Sequence, residues 1–139
     1  MNLFTYGTLR VGESNASILD KHGAYKATVK TVDKYIMVTE LSHCFPYLIS
    51  CQHWPEMSHV AVHIVGDVYE LTPIGLAHCD KLEGHPTWYV RRPIDVIDDN
   101  GNIYTVEAYI LSQQSAQSLV KEEITVLNGD WKTNMRRIH

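Results

Sequence analysis

Apolar and polar residues alternate along much of this chain with the two-residue period of half-buried strands. Residues 3–6 form a short β-prone run broken by Gly7, which predicts a strand opening into a tight turn. Residues 24–40 are rich in Tyr, Val, Thr and Ile and read as one long strand or a bent pair. Residues 45–49 read as a short strand entered through Pro46. Over 59–71, Val60, Val62, Ile64 and Val68 separate histidines and polar residues, which predicts a strand with one buried face and a bend or bulge at Gly66. Residues 88–97 and 103–111 alternate again on either side of Asp98-Asp99-Asn100-Gly101, and Asn-Gly between two such runs is a strong hairpin signal.

Helical periodicity is scarcer. Ser14 or Asn15 is placed to cap a short helix carrying Ile18 and Leu19. Thr72 reads as an N-cap with Pro73 at the first helical position, Ile74, Ala77, Cys79 and Leu82 in the body and Gly84 just past the end. Leu119, Val120, Ile124 and Leu127 predict a helix over 115–127. Residues 51–58, with Pro55, read as loop, and the tail from Asn128 as irregular. Neither repeat, linker nor low-complexity stretch divides the chain, so one domain is expected over 1–139. Strands joined by hairpins and few helices give an α+β class: a curved sheet or small mixed β-barrel with short flanking helices, and not a doubly wound fold.

Composition narrows the function classes. The 139 residues are 45% hydrophobic and 20% charged, as ordinary globular chains are. The net charge of -4 and the scattered basic residues leave no electrostatic footprint for nucleic acid or an anionic membrane. No apolar run approaches the roughly 20 residues of a membrane span, and the N-terminus lacks a signal-peptide pattern. The three cysteines, Cys44, Cys51 and Cys79, are odd in number and lack C-x-x-C spacing. Reduced thiols in a cytoplasmic protein follow.

Two segments could carry chemistry. In Phe4-Thr5-Tyr6-Gly7-Thr8-Leu9-Arg10, a glycine after a strand lets a ligand approach backbone N–H groups, which can form an anion-binding concavity. It can equally be a plain strand-to-loop glycine. In Asp80-Lys81-Leu82-Glu83-Gly84-His85-Pro86, Glu83 meets the unfavourable end of a helix macrodipole, which should raise its pKa, unless it is simply a solvated carboxylate beside a cap. A metal site would draw on His59 and His63, on one predicted strand face, with His43, Cys44, Cys51 and His53 nearby. Their spacing lacks the paired patterns of structural zinc sites, so no metal or other cofactor is expected. Cys79 sits inside the predicted helix and reads as core, not nucleophile.

Taken together and in order, these motifs resemble the gamma-glutamylcyclotransferase-like family, most closely its gamma-glutamylamine cyclotransferase branch. The resemblance runs through Tyr6-Gly7-Thr8-Leu9, Gly66-Asp67-Val68-Tyr69-Glu70-Leu71, Leu82-Glu83-Gly84-His85-Pro86, Tyr89-Val90-Arg91, Ala108-Tyr109 and Gly129-Asp130-Trp131. It implies a small mixed β-barrel and conversion of a gamma-glutamyl amine or amino acid to 5-oxoproline and a free amine. It places the catalytic acid/base at Glu83 and substrate binding at Tyr6, Gly7, Thr8 and Leu9. Tyr89 and Tyr109 are further pocket-lining candidates, or core aromatics with satisfied hydroxyls. Arg10 and Arg91 are expected to be ion-paired or surface residues, and Trp131 to pack the tail onto the barrel. The alternative is a non-catalytic small-molecule binding protein that kept the pocket. The leaving amine, the oligomeric state and the part played by residues 41–59 stay open at this point.

Overall fold

One unbroken strand organises the molecule. In the computed structural model, which describes residues 1–7, 19, 21–40 and 45–132, β2 runs over Gly23–Glu40 without a proline to interrupt it. Around it lie β1 (Asn2–Thr5), β3 (Tyr47–Ile49), β4 (Val62–Leu71), β5 (Tyr89–Ile97), β6 (Ile103–Leu111) and β7 (Ile124–Val126). Two short helices, α1 (Pro73–Leu82) and α2 (Gln113–Ser118), and two 3-10 turns (Pro55–Val60 and Lys121–Glu123) complete the described elements.

The strands close on themselves. β2 pairs antiparallel with β4 from Gly23↔Leu71 to Tyr35↔Val62. β4 pairs antiparallel with β1 (Leu3↔Tyr69), and β1 runs parallel to β6 (Leu3↔Glu107). The β6–β5 hairpin brings β5 back to β2 at Thr31↔Val96. The result is a five-stranded mixed barrel, a closure that removes exposed edges. Register shifts between Tyr25 and Ala27 and between Lys30 and Lys34 mark where β2 bends. Past the second, its far end leaves the ring and pairs with β3 and β7.

Neighbouring residues split between two apolar clusters, as a pleated strand requires. Leu3, Ile36, Val38, Tyr69 and Tyr109 belong to one. Phe4, Met37, Val68 and Ile110 belong to the other, with Trp131 only 2% exposed, so Trp131 does pack on the barrel.

Several expectations need correction. The 51–58 loop runs into a 3-10 turn over Pro55–Val60, which takes His59 off the strand and away from a shared face with His63. β4 is buried on both faces from Gly66 to Tyr69. Gly66 marks no break in pairing, since it opposes Val29. It is small because a Cβ there would lie 2.4 Å from the Thr5 carbonyl oxygen and 2.5 Å from the Phe4 ring. The helix over 115–127 stops at Ser118, with Leu119 already extended. β-branched Ile124, Thr125 and Val126 instead pair with β2, so an available strand partner outweighs helical spacing. Ile74 and Leu82, expected in the body of α1, are 65% and 48% exposed, and Gly75, Leu76 and Cys79 bury that helix. The Ser14/Asn15 cap, Ile18, Arg10, His43 and Cys44 lie outside the described residues, although Leu19 is fully buried. Among the described residues no helix is long and apolar enough to cross a membrane.

Candidate active site

α1 is built to end where it does. The Thr72 hydroxyl accepts from the Gly75 N–H at 3.1 Å, and Pro73 supplies a first-turn residue that needs no donor. At the other end, Gly84 takes φ +66°, a left-handed conformation that side chains resist. Its N–H donates to Lys81 O at 3.2 Å, and the His85 N–H donates to Asp80 O at 2.9 Å. This pair of bonds is a Schellman cap, which satisfies carbonyls otherwise left over at a helix end. Glu83, the residue just before the turn, is thereby held by its own N–H donating to Cys79 O at 2.9 Å.

The side chain of Glu83 lines a cavity of about 250 Å³. Phe4 and Thr5 at the end of β1, and Tyr6 and Gly7 just after it, line the same cavity. Tyr89 and Tyr109 from β5 and β6 line it too, together with Phe45, Pro46, Leu82 and Trp88. Gly7 is tight against this lining, since a Cβ there would come within 2.7 Å of Pro46 Cδ.

The three tyrosines are pinned. The Tyr6 hydroxyl donates to the Tyr109 carbonyl at 2.5 Å, and the Tyr89 hydroxyl to the Pro46 carbonyl at 3.1 Å. The Tyr109 hydroxyl donates to Asp80 Oδ1 at 2.6 Å. Burial raises the pKa of all three, reinforced at Tyr6 by the charge of Glu83 and at Tyr109 by Asp80, so they stay neutral near pH 7. Arg91 Nε lies 2.9 Å from the same Asp80 oxygen, and Nη1 is 3.6 Å from Glu107 Oε1. Nε makes no aligned hydrogen bond, so this contact is an ion pair only. The Arg91 backbone N–H donates to His85 Nδ1 at 3.0 Å, tying β5 to the turn after Glu83.

Glu83 itself has its pKa pushed up to about 7. The cause is burial; a half-buried carboxyl with little water around it resists ionisation. A carboxyl poised near neutrality can both take and return a proton.

Of the residues singled out from sequence, Tyr6, Gly7, Glu83, Tyr89 and Tyr109 come together here; Thr8 and Leu9 lie outside the described residues. Phe4, Thr5 and Leu82 lie within the two segments singled out but had been given no part in binding, and Phe45, Pro46 and Trp88 were not foreseen. Phe45 and Pro46 come from the stretch to which no part had been given. Asp80 carried one usable signal, its position one helical turn before Glu83. Among the described residues no three His, Cys, Asp or Glu side chains gather as metal ligands.

Residues 3–133 match the family described as gamma-glutamyl cyclotransferase, AIG2-like. The chain belongs to that family. A Methanocaldococcus jannaschii protein provisionally named a gamma-glutamylcyclotransferase is 31% identical over 130 residues, covering 94% of both chains. Rat gamma-glutamylaminecyclotransferase is 29% identical over 99 residues, 68% of this chain and 62% of its own. The crystal structure of a mouse AIG2-like protein superposes with a TM-score of 0.68 at 22% identity, covering 88% of this chain and 80% of that one, a likeness of fold. In this member of the gamma-glutamyl cyclotransferase, AIG2-like family, barrel residues, the end of β1 and the capped helix end line one pocket.

Proposed function

We propose that this chain is a gamma-glutamyl cyclotransferase that closes the glutamyl part of a gamma-glutamyl amine or amino acid into 5-oxoproline, with Glu83 as the proton carrier. The observation that carries the reading is the Glu83 carboxyl with a pKa near 7, facing a pocket whose other described lining side chains are neutral.

The substrate α-nitrogen forms a bond to its own γ-carbonyl carbon while the bond from that carbon to the leaving nitrogen breaks. The α-ammonium begins with three protons. Glu83 takes one, which frees the lone pair for attack, and hands it to the departing nitrogen. A second proton passes the same way as the tetrahedral intermediate collapses. The third stays on the lactam nitrogen, and the amine leaves protonated. No enzyme nucleophile is required.

The pocket supplies the rest by holding the chain folded for ring closure. The backbone N–H groups of Gly7, Thr8 and Leu9, where the resemblance places substrate binding, are assigned to the substrate carboxylate or the developing oxyanion. Tyr6, Tyr89 and Tyr109, neutral and committed to donating elsewhere, form walls whose oxygens can still accept from the α-ammonium. One domain over 1–139 carries the whole reaction without a cofactor. A cytoplasmic setting belongs to the same reading and rests on the free thiols of Cys51 and Cys79.

The test is 5-oxoproline release from a panel of gamma-glutamyl amides by wild type and Glu83→Gln. We expect wild-type release and a loss of at least about 100-fold in the variant. Equal release by both would remove Glu83 from the chemistry. Binding of 5-oxoproline with no turnover of any amide would favour the non-catalytic binding protein.

A further inference from the structure

The described lining of the pocket is largely apolar, and Phe45, Leu82 and Trp88 belong to it together with Glu83. Leu82 is the last residue of α1 and so the immediate chain neighbour of Glu83. Phe45 and Leu82 are 39% and 48% exposed although both line the cavity. Single exposed apolar residues are common, but a group of them around one pocket marks a surface that a ligand covers. Trp88 stands edge-on to Tyr47 with ring centroids 5.8 Å apart, and Tyr47 is in turn edge-on to Phe45 at 5.6 Å. These three rings form a rigid ladder beside the pocket, ready to take another ring or a branched alkyl group. Trp88 also adjoins the Glu83 turn, since a Cβ on Gly84 would lie 3.3 Å from Trp88 Cβ.

Charge points the same way. Among the described lining residues no side chain is cationic, and Glu83 is the sole carboxylate. A leaving group bearing a carboxylate would meet no counter-charge from the described lining residues and would be repelled by ionised Glu83. A neutral apolar amine incurs neither cost.

We infer that the leaving group is an apolar amine without a carboxylate, aromatic or branched aliphatic, held by Phe45, Leu82 and Trp88. The inference rests on the ring-closure reading and adds the substrate class. It makes these three the specificity-determining residues of the site.

The experiment measures kcat/KM for gamma-glutamyl phenethylamide, gamma-glutamyl methylamide, gamma-glutamyl alanine and gamma-glutamyl-ε-lysine. The phenethylamide should lead the alanine and ε-lysine conjugates by about tenfold or more, the discrimination one apolar subsite commonly yields. In Phe45→Ser and Leu82→Ser the ratio of phenethylamide to methylamide kcat/KM should fall severalfold. Both residues are exposed, and thermal melting verifies that the variants fold. Equal or better turnover of the alanine or ε-lysine conjugate would overturn the inference and leave the cyclisation intact. An unchanged ratio in both variants would overturn it too. If wild type cyclises none of the four, the ring-closure reading fails and this inference falls with it.

Discussion

The Tyr109 hydroxyl donates to Asp80 Oδ1 at 2.6 Å, and this bond joins a strand wall of the pocket to the last turns of α1. Arg91 lies against the same oxygen at 2.9 Å. Asp80 also gives its backbone carbonyl to the cap that follows Glu83. Asp80, Arg91 and His85 thereby tie β5, β6 and the end of α1 together around the Glu83 turn. With side-chain exposures of 21% for Arg91 and 24% for Asp80, the pair lies between surface and core. Arg91→Met should cost about 1–2 kcal/mol, between the values for exposed and buried pairs. Thermal melting measures that. Steady-state kinetics should show kcat falling more than KM rises, with partial rescue by Arg91→Lys. A purely structural role would lower stability without that split.

The pH dependence has a definite sign. Glu83 must be ionised to accept a proton, so kcat/KM should climb with pH through about 7, the value to which burial raises its carboxyl. Stability moves in the opposite direction. The folded pKa lies above the ordinary value of 4.5, so between the two the folded chain binds the proton more tightly than the unfolded one. Stability from this group is complete below pH 4.5 and declines as pH rises to about 7. Glu83→Gln should therefore raise Tm relative to wild type at pH 8, and the difference should shrink toward pH 4. Scanning calorimetry at the two pH values checks it; a constant difference would contradict burial as the cause.

Gly84 and Gly101 separate backbone strain from site geometry. Both have positive φ, +66° and +83°. Alanine at either should cost about 1 kcal/mol for the left-handed backbone. A Cβ at Gly101 meets nothing within 4 Å, whereas one at Gly84 meets Trp88 beside the Glu83 turn. Both alanine variants should melt lower, but only Gly84→Ala should also lose turnover.

Tyr6→Phe removes a donor from the buried carbonyl of Tyr109. An unsatisfied buried acceptor costs about 1–3 kcal/mol, which urea denaturation should register as a lower midpoint with an unchanged slope.

Local patterning made much of the fold legible. Thr72-Pro73 does start α1, Asn100-Gly101 does turn the β5–β6 hairpin, and 24–40 does form one long strand. Where patterning failed, partners at a distance decided. Leu119, Ile124 and Leu127 have helical spacing, yet Thr125 pairs with Thr39 and the Leu127 N–H donates to Met37 O at 2.8 Å. Gly66 read as a bend because nothing nearby in sequence reveals that Phe4 and Thr5 crowd it.

For the site, the sequence by itself determined the Leu82-Glu83-Gly84 helix end, because caps are set by residues within about six positions of one another. Only the tertiary structure decided that residues as far apart as Tyr6, Phe45, Glu83 and Tyr109 share one cavity. It alone decided that the Glu83 pKa rises to about 7 and that apolar rings stand beside it. The reason is physical: barrel closure depends on pairing between distant strands, and desolvation is the joint effect of every group that displaces water from a carboxyl.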